Sequence, residues 1–460
     1  MDGSTSFFSD LLGSIAERGR ALLDIGRERR PTGAVKAAGL TELCERLLSG
    51  RGEASGVALA QDILVAYRGL KTGERVAFFE ALAQAFGPDR PRLDRAIAAY
   101  GAGASARTLA ELHAASEPRR QELVRRLNLA PGATALLVKM RADLLDALAR
   151  RPDLAEVDGD FVHLFASWFN RGFLVLRRID WSTPANVLEK IIRYEAVHEI
   201  RDWNDLRARV DSPDRRCYAF FHPALVDEPL IFVEVALTRE APDAIAPILA
   251  EKRTPLDPTS AKTAVFYSIS NCQRGLGGVT FGNFLIKQVV EEISREFPNL
   301  TNFVTLSPVP GFRSWLEGER RNPASAVLTG EDRAALEALD AGGTPDEAAR
   351  TALRPVVAAL AAHYFLIART SKGKPIDPVA RFHLGNGARL ERINPFGDLS
   401  TRGMKQGAGL MVNYRYVLAD IEKNHEAFFD KAEIVASPAV RKLLRAETQQ
   451  RALAVREAVV

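Results

Sequence analysis

The sequence predicts an α+β protein, in which an all-α helical bundle is followed by a domain of mixed strands and helices. Roughly the first 165 residues are rich in Ala, Leu, Arg and Glu, with apolar positions at three- and four-residue intervals. From about residue 170, β-branched and aromatic segments alternate with helical ones. At 460 residues the chain exceeds the size of one hydrophobic core. We therefore expect a helical domain, residues 1–168, and a second domain, residues 169–460.

The helical half is divided by Pro and Gly into short segments with apolar residues along one face. These segments are Val57–Tyr67, Arg75–Phe86, Leu93–Tyr100, Arg107–Ala115 and Arg119–Leu127. His113 and His163 are the candidate general bases of this half, and neither has a nucleophile pattern near it. We expect this half to serve structure or self-association.

The second half carries segments whose β-branched and aromatic content is typical of strands. These segments are Phe173–Arg178, Cys217–Phe221, Leu230–Leu237, Ala264–Ser270, Phe303–Leu306 and Leu410–Val417. A capping box at Thr344–Glu347, with proline at the first helical position, and Ser437-Pro438 indicate helix starts between or after them. Such a mixture predicts an α/β or α+β domain, in which ligands commonly bind at strand ends.

A glycine-rich loop follows one of these strands and leads into an amphipathic helix, Asn283–Phe297. Its members are Arg274, Gly275, Gly277, Gly278 and Gly282. Glycines let a backbone approach a phosphate closely, and the positive end of a helix dipole favours the anion there. The sequence of the loop by itself is consistent with both a phosphate site and an ordinary strand-to-helix turn.

Candidate catalytic side chains occur after the predicted strands. His383 lies between Phe382 and Leu384 and precedes a Gly-Asn-Gly turn, where it could reach a pocket edge; a satisfied core histidine is the alternative. His222 is the other contender, although its neighbour Pro223 suits a strand end. Ser307 follows a strand and precedes prolines that could fix its hydroxyl, but it does not lie in a G-x-S-x-G elbow.

Composition excludes several classes of function. With 62 basic and 58 acidic residues the net charge is +4, too balanced for a nucleic-acid-binding protein. No metal-ligand spacing occurs, so no metal is expected. The three cysteines are scattered, and residues 1–20 lack the apolar core of a secretory signal. No stretch is long and apolar enough to span a membrane, so we expect a cytoplasmic protein.

An ordered set of short segments resembles one enzyme family. The segments are Ser167-Trp168-Phe169, Gly172-Phe173-Leu174, Glu228-Pro229-Leu230, Val235–Thr238, Phe266–Ser270, the glycine loop, Ser307–Phe312, Phe382-His383-Leu384 with Asn386-Gly387, Arg392-Ile393-Asn394, Gly409-Leu410-Met411 and Asn413–Tyr416. Each segment is a weak signal, but their order along the second half is specific. The set resembles malonyl-CoA decarboxylase.

This resemblance implies a GNAT-like acetyltransferase fold for the catalytic domain and a homo-oligomer, dimer or tetramer, formed through the helical domain. The family's catalytic serine and histidine correspond to Ser307 and His383, and a tyrosine of its site to Tyr416. Its substrate-binding stretch corresponds to Gly277, Gly278, Val279, Thr280, Phe281, Gly282, Asn283 and Ile286. Thr280 stands where relatives carry glutamate, so an acidic helper is not expected there. Side chains alternate between the two faces of a strand, so Tyr414 and Tyr416 would lie on the same face. From this pattern alone, both would be core residues.

The resemblance implies conversion of malonyl-CoA to acetyl-CoA and CO2 through an enolate, without a metal or organic cofactor. His383 would donate the proton and Ser307 would position the malonyl group. Three alternatives share some of these features: an acyl-CoA N-acyltransferase, a serine thioesterase, and a non-catalytic CoA-binding scaffold. The products formed from malonyl-CoA alone discriminate among them.

Overall fold

The computed structural model describes residues 37–50, 52–279, 285–339 and 344–445. The chain divides into two compact units. The helical unit comprises Met1–Val175, Phe221–Pro229 and Gln273–Phe281, and the sheet unit comprises Leu176–Phe220, Leu230–Cys272 and Gly282–Val460. The N-terminal stretch 1–20 and the predicted site residues Thr280, Phe281, Gly282 and Asn283 lie outside the described residues. The expected domain division at residues 168 and 169 stays a prediction.

The helical unit confirms the predicted all-helical character of the N-terminal half. Its helices are α1 (Ala37–Ser49), α2 (Glu53–Gly69), α3 (Thr72–Ala85), α4 (Arg90–Ala102), α5 (Ala106–Ser116), α6 (Arg119–Leu127), α7 (Ala133–Leu148) and α8 (Ala155–Trp168). Tyr67, Phe78 and Phe79 form a buried aromatic cluster, with ring centroids 5.6 to 6.3 Å apart. This cluster joins α2 to α3 at the centre of the core.

The sheet unit contains an eight-stranded sheet with the order β1-β2-β3-β4-β5-β8-β6, and β7 pairs with β8. The strands are β1 (Val175–Ile179), β2 (Arg215–Phe221), β3 (Pro229–Thr238), β4 (Thr263–Asn271), β5 (Asn302–Thr305), β6 (Ser307–Pro308), β7 (Arg389–Asn394) and β8 (Met411–Tyr416). All six predicted strands are present. The sequence patterns did not predict β6 or β7.

β4 and β5 run in the same direction within this sheet. β4 and β5 pair in parallel from Thr263–Asn302 to Phe266–Thr305, whereas β8 pairs antiparallel with β5, β6 and β7. Since β5 ends at Thr305 and β6 begins at Ser307, the chain contacts β8 twice in succession. This double contact places Ser307 opposite Val412.

Helices connect the strands of the sheet unit. They are α9 (Ala185–Tyr194), α10 (Trp203–Val210), α11 (Ala246–Leu249), α12 (Leu285–Glu296), α13 (Phe312–Arg321), α14 (Gly330–Leu336), α15 (Glu347–Leu366), α16 (Pro378–Gly385), α17 (Thr401–Gly407), α18 (Ile421–Lys431) and α19 (Pro438–Arg441). Ser437 caps α19 as predicted. The predicted start of α15 is wrong by two residues, because the side chain that accepts the first-turn N–H is that of Asp346, and not that of Thr344.

Across the described ranges, no helix has the length and hydropathy of a membrane span.

The start of the glycine loop packs within the helical unit. Residues Arg274–Leu276 form a single 3₁₀ turn against α7. A β-carbon on Gly275 would lie 1.8 Å from the carbonyl oxygen of Val138 and 2.7 Å from its carbonyl carbon. This glycine is therefore required by close contact with a helix, independently of any phosphate.

We expect Gly275→Ala to lower the free energy of unfolding by about 1–3 kcal/mol, because backbone must move to admit the methyl group. Gly159→Ala is the matched control: Gly159 lies in α8, and a β-carbon added there would have nothing within 4 Å. That change should stabilise the chain by about 0.5–1 kcal/mol. Urea unfolding of the full chain measures both, and equal stability of the two variants would contradict the packing role of Gly275.

Candidate active site

Ser307 and His383 lie together in the sheet unit. The Ser307 Oγ is 3.2 Å from Nε2 of His383, and only 2% of the His383 surface is exposed. Ser307 is held by the pairing of β6 with β8. His383 lies in the last turn of α16, whose N-terminus is fixed by Pro378 and by Asp377, which accepts the N–H of Ala380 at 2.7 Å. Two residues that are 76 positions apart thus form a buried polar pair.

Both tyrosines of β8 contact the His383 ring. The Tyr416 hydroxyl is 2.8 Å from Nδ1, so the two ring nitrogens of His383 have different partners. The Tyr414 ring stacks on the imidazole at 4.6 Å between centroids, with an interplanar angle of 25°. Alternation along a strand explains why both side chains reach the same histidine. The core-packing interpretation is correct about their burial, but it misses this contact.

Thr305 extends the hydrogen-bonded chain beyond Ser307. Its Oγ1 accepts the Ser307 hydroxyl at 2.9 Å and the backbone N–H of Tyr414 at 3.1 Å. The sequence reading did not single out Thr305. The signal that could have found it is the Thr-x-Ser spacing, because residues two apart on an extended segment point to the same side.

Burial keeps the imidazole of His383 uncharged. Loss of hydration on burial lowers its pKa from 6.5 to about 3. Burial also raises the pKa of the Tyr416 phenol well above its ordinary value. Near neutral pH the pair is therefore a neutral imidazole beside a neutral phenol. Each group can hold a proton without carrying a charge.

The described part of the glycine loop is held by the helical unit. Arg141 of α7 donates from Nη1 to the carbonyl oxygens of Gly275 and Gly277, both at 2.8 Å. Its Nε donates to Asp158 at 2.8 Å, and the Arg141 side chain is buried. Arg274, by contrast, is exposed and forms an ion pair with Asp146.

Few N–H groups of this part of the loop remain for a ligand. Those of Leu276, Gly277 and Val279 already donate to carbonyls three residues earlier, at 2.9 to 3.0 Å. Gly278 has a φ of 76°, a left-handed conformation that favours glycine. A phosphate at the loop would therefore be bound by Gly278 or by the residues after Val279.

The structure brings Ser307, His383 and Tyr416 together, whereas the loop residues Arg274 to Val279 belong to the helical unit. Ile286 is buried on α12 in the sheet unit. The binding roles assigned to these residues stay predictions. Among the residues that the structure describes, no cluster of three or more His, Cys, Asp or Glu side chains could hold a metal ion.

Comparison with known proteins identifies the family. The family model for the malonyl-CoA decarboxylase C-terminal domain matches residues 172–454, and that for the malonyl-CoA decarboxylase N-terminal domain matches residues 86–169. A curated relative, the mitochondrial malonyl-CoA decarboxylase of Anser anser anser, is 37% identical over 408 residues, which cover 81% of each chain. That of Mus musculus is 35% identical over 466 residues, which cover 91% of this chain and 93% of the relative.

Solved structures agree with this result. Malonyl-CoA decarboxylase from Rhodopseudomonas palustris is 62% identical, with a TM-score of 0.87, and the match covers 88% of this chain and 99% of that one. The protein of the same name from Agrobacterium vitis is 56% identical, with a TM-score of 0.84 and the same coverage of both chains.

The helical unit, the mixed sheet and the buried serine–histidine pair define a two-part α+β enzyme, and the expected α+β class and carboxy-lyase class are both confirmed. The GNAT-like form of the second domain stays a prediction. The chain belongs to the malonyl-CoA decarboxylase family. Because the curated relatives are named as mitochondrial, a cytoplasmic location for this chain stays a prediction.

The burial of His383 makes stability depend on pH. In the unfolded chain this histidine binds a proton below about pH 6.5, but in the folded chain it does so only near pH 3, so acid favours unfolding. The stability present above about pH 6.5 is then lost as the pH falls, by up to about 1.4 kcal/mol per pH unit. We expect His383→Asn to flatten this dependence between about pH 5 and 7.

Urea unfolding across that pH range measures the slope. His113→Asn is the control, since His113 is exposed on α5 and should leave the slope as in the wild type. Equal slopes for the wild type and His383→Asn would show that His383 is not buried in the neutral form.

Proposed function

We propose that this protein converts malonyl-CoA to acetyl-CoA and CO2, and that Ser307, His383 and Tyr416 carry the chemistry without a metal or organic cofactor. The observation that carries the proposal is the buried chain from the Tyr416 hydroxyl through the neutral imidazole of His383 to the Ser307 hydroxyl. Family membership supports malonyl-CoA as the substrate.

The first step breaks a carbon–carbon bond. When CO2 leaves, the electron pair of that bond moves into the thioester, which holds it as an enolate. The carboxylate must stand out of the plane of the thioester carbonyl for these orbitals to overlap. When malonyl-CoA binds, the Ser307 hydroxyl would turn from Thr305 and donate to the malonyl carboxylate or carbonyl, which holds the malonyl group against His383. A buried site favours this step, because the negative charge moves from a carboxylate, which water stabilises strongly, to an enolate in which it is delocalised.

The second step delivers a proton to carbon. The enolate of a thioester is a much stronger base than the imidazolate or phenolate anion, so an uncharged His383 can protonate it. The proton leaves from Nε2, the nitrogen that faces Ser307, while Tyr416 replaces it at Nδ1. A solvent proton then returns to Nε2, and the proton on Nδ1 passes back to the Tyr416 oxygen, which restores both groups. Each turnover therefore consumes one proton and releases one CO2.

Coenzyme A would be bound separately from this chemistry. We assign its pyrophosphate to the stretch from Gly277 to Asn283, which leads into α12, whose first described turn includes Ile286. Arg141 supports the assignment, because its two hydrogen bonds hold the carbonyl groups of Gly275 and Gly277 at the start of the loop. Arg274 and Gly275 begin the same loop. A homo-oligomer formed through the helical domain remains part of the proposal.

The alternatives predict other products. An N-acyltransferase requires an amine acceptor, a thioesterase releases malonate and free CoA, and a scaffold releases nothing. A thioesterase also requires the histidine to remove the serine proton. Here the Ser307 hydroxyl already donates to Thr305, which favours the decarboxylase.

Incubation of the purified protein with malonyl-CoA alone should give acetyl-CoA and CO2, and in heavy water the acetyl group should carry one deuterium. His383→Asn should lower kcat by about 10²–10⁴-fold and Ser307→Ala by about 10²–10³-fold, because each removes one group that acts in the transition state. Affinity for CoA should be nearly unchanged in both variants. Mass spectrometry of the products and steady-state kinetics measure these effects.

His113→Asn is the matched control and should retain wild-type turnover, because His113 is exposed on a helix of the helical unit. Release of free CoA and malonate by the wild type would support the thioesterase. Near-normal turnover by either site variant would remove that residue from the mechanism.

Arg141→Lys tests the loop. Lysine keeps the charge but cannot hold two carbonyls and a carboxylate at once, so KM for malonyl-CoA should rise by about tenfold while kcat changes by less than about twofold. Arg150→Lys, at an exposed arginine of the same unit, is the control. An unchanged KM for Arg141→Lys would argue against CoA binding by this loop.

A further inference from the structure

The direction of one hydrogen bond decides where the proton of His383 lies. The Ser307 Oγ has two polar neighbours, Oγ1 of Thr305 at 2.9 Å and Nε2 of His383 at 3.2 Å. A serine hydroxyl has a single proton to donate. Its geometry toward Thr305 is that of a donor, so the proton of Ser307 is directed at the threonine and is not available to the histidine.

Thr305 is held firmly enough to impose this direction. It is fully buried and lies at the end of β5, where it pairs with Phe266 of β4. Its carbonyl oxygen accepts Nδ2 of Asn413 at 2.7 Å, and its Oγ1 accepts the N–H of Tyr414 at 3.1 Å. The oxygen that receives the Ser307 proton is thus fixed by backbone contacts to two neighbouring strands.

The remaining protons follow from this arrangement. Since Ser307 donates to Thr305, its lone pairs face His383, and Nε2 must be the donor in that contact. A neutral imidazole has one N–H, so Nδ1 is then an acceptor, and the Tyr416 hydroxyl must donate to it. With this assignment, each of the three hydrogen bonds from Thr305 through Ser307 and His383 to Tyr416 has one donor and one acceptor.

We propose that Thr305 is a positioning residue that sets the tautomer of His383, holding its proton on Nε2 in the resting enzyme. The catalytic consequence rests on the proposed function, whereas the tautomer itself does not. A proton on Nε2 is already directed at the substrate side. The same arrangement denies Ser307 a base, because the nitrogen that faces its hydroxyl is occupied by a proton. One threonine therefore favours protonation of carbon and suppresses nucleophilic attack by the serine.

Thr305→Val tests this proposal, because valine has a similar shape but no acceptor for the Ser307 proton. Ser307 is then free to donate to Nε2, and the proton of His383 should move to Nδ1. Thr305→Ser keeps the acceptor and is the matched control. Nitrogen-15 NMR of the histidine rings distinguishes the two tautomers, and the His383 signals are assigned by their absence from His383→Asn.

In the wild type and in Thr305→Ser, we expect the proton of His383 on Nε2. Thr305→Val should show it on Nδ1, with kcat lowered by about 10²-fold and KM for malonyl-CoA within about twofold of the wild type. A structural effect alone would lower stability without moving the tautomer. Thr305→Ser should retain kcat within about threefold, since its hydroxyl restores the acceptor.

A wild-type spectrum with the proton on Nδ1 would overturn the proposal, and this measurement requires no variant to fold. A Thr305→Val enzyme that keeps the wild-type tautomer, or that changes tautomer and keeps the wild-type kcat, would overturn it as well. If the wild type forms no acetyl-CoA, the proposed function and the catalytic consequence both fail, and the NMR result alone then decides the tautomer.

Discussion

The pairing of β8 with three other strands is the constraint on which the candidate site depends. β8 pairs with β5, β6 and β7. The register of these pairings sets the positions of Thr305, Ser307 and the two tyrosines along neighbouring strands. A shift of one residue would turn Tyr414 and Tyr416 to the opposite face and remove both contacts with His383. The pairings of β5 and β6 with β8 follow one continuous register, so the strands that carry Thr305, Ser307 and the tyrosines are held together by backbone hydrogen bonds.

Burial determines what such a site can do. In water an imidazole is easily charged near neutrality, but here loss of hydration keeps it neutral beside a neutral phenol. A neutral relay suits a reaction whose intermediate is strongly basic and whose substrate arrives with a negative charge. The same burial prevents bulk water from competing for the intermediate.

The sequence predicted those parts of the fold that local patterns encode. The strands were visible from their β-branched and aromatic content, but β6 has only two residues, and it exists because β8 is beside it. The start of α15 was placed at Thr344 because both Thr344 and Asp346 are good caps, and local sequence does not decide between them.

The candidate site shows the same limit. Ser307, His383 and Tyr416 were found through resemblance, yet Thr305 and Tyr414 emerge only when strand register is known. The sequence of the glycine loop leaves a phosphate site and an ordinary turn open, whereas the structure shows that contact with α7 already requires Gly275. Residue type and neighbouring sequence indicate which side chains can take part in chemistry. The packing constraint on Gly275, in contrast, comes from α7, more than a hundred positions away in the sequence.

Residues 221–229 and 273–281 belong to the helical unit, although they follow its helices in the sequence. This affects how the chain folds during synthesis. A ribosome releases the eight helices described for that unit first, but the loop whose carbonyls Arg141 binds emerges only after β1 to β4. Until then the buried guanidinium lacks two of its acceptors. The helical unit is therefore completed late in synthesis, in step with the sheet unit, and its contacts of long sequence separation favour slow folding.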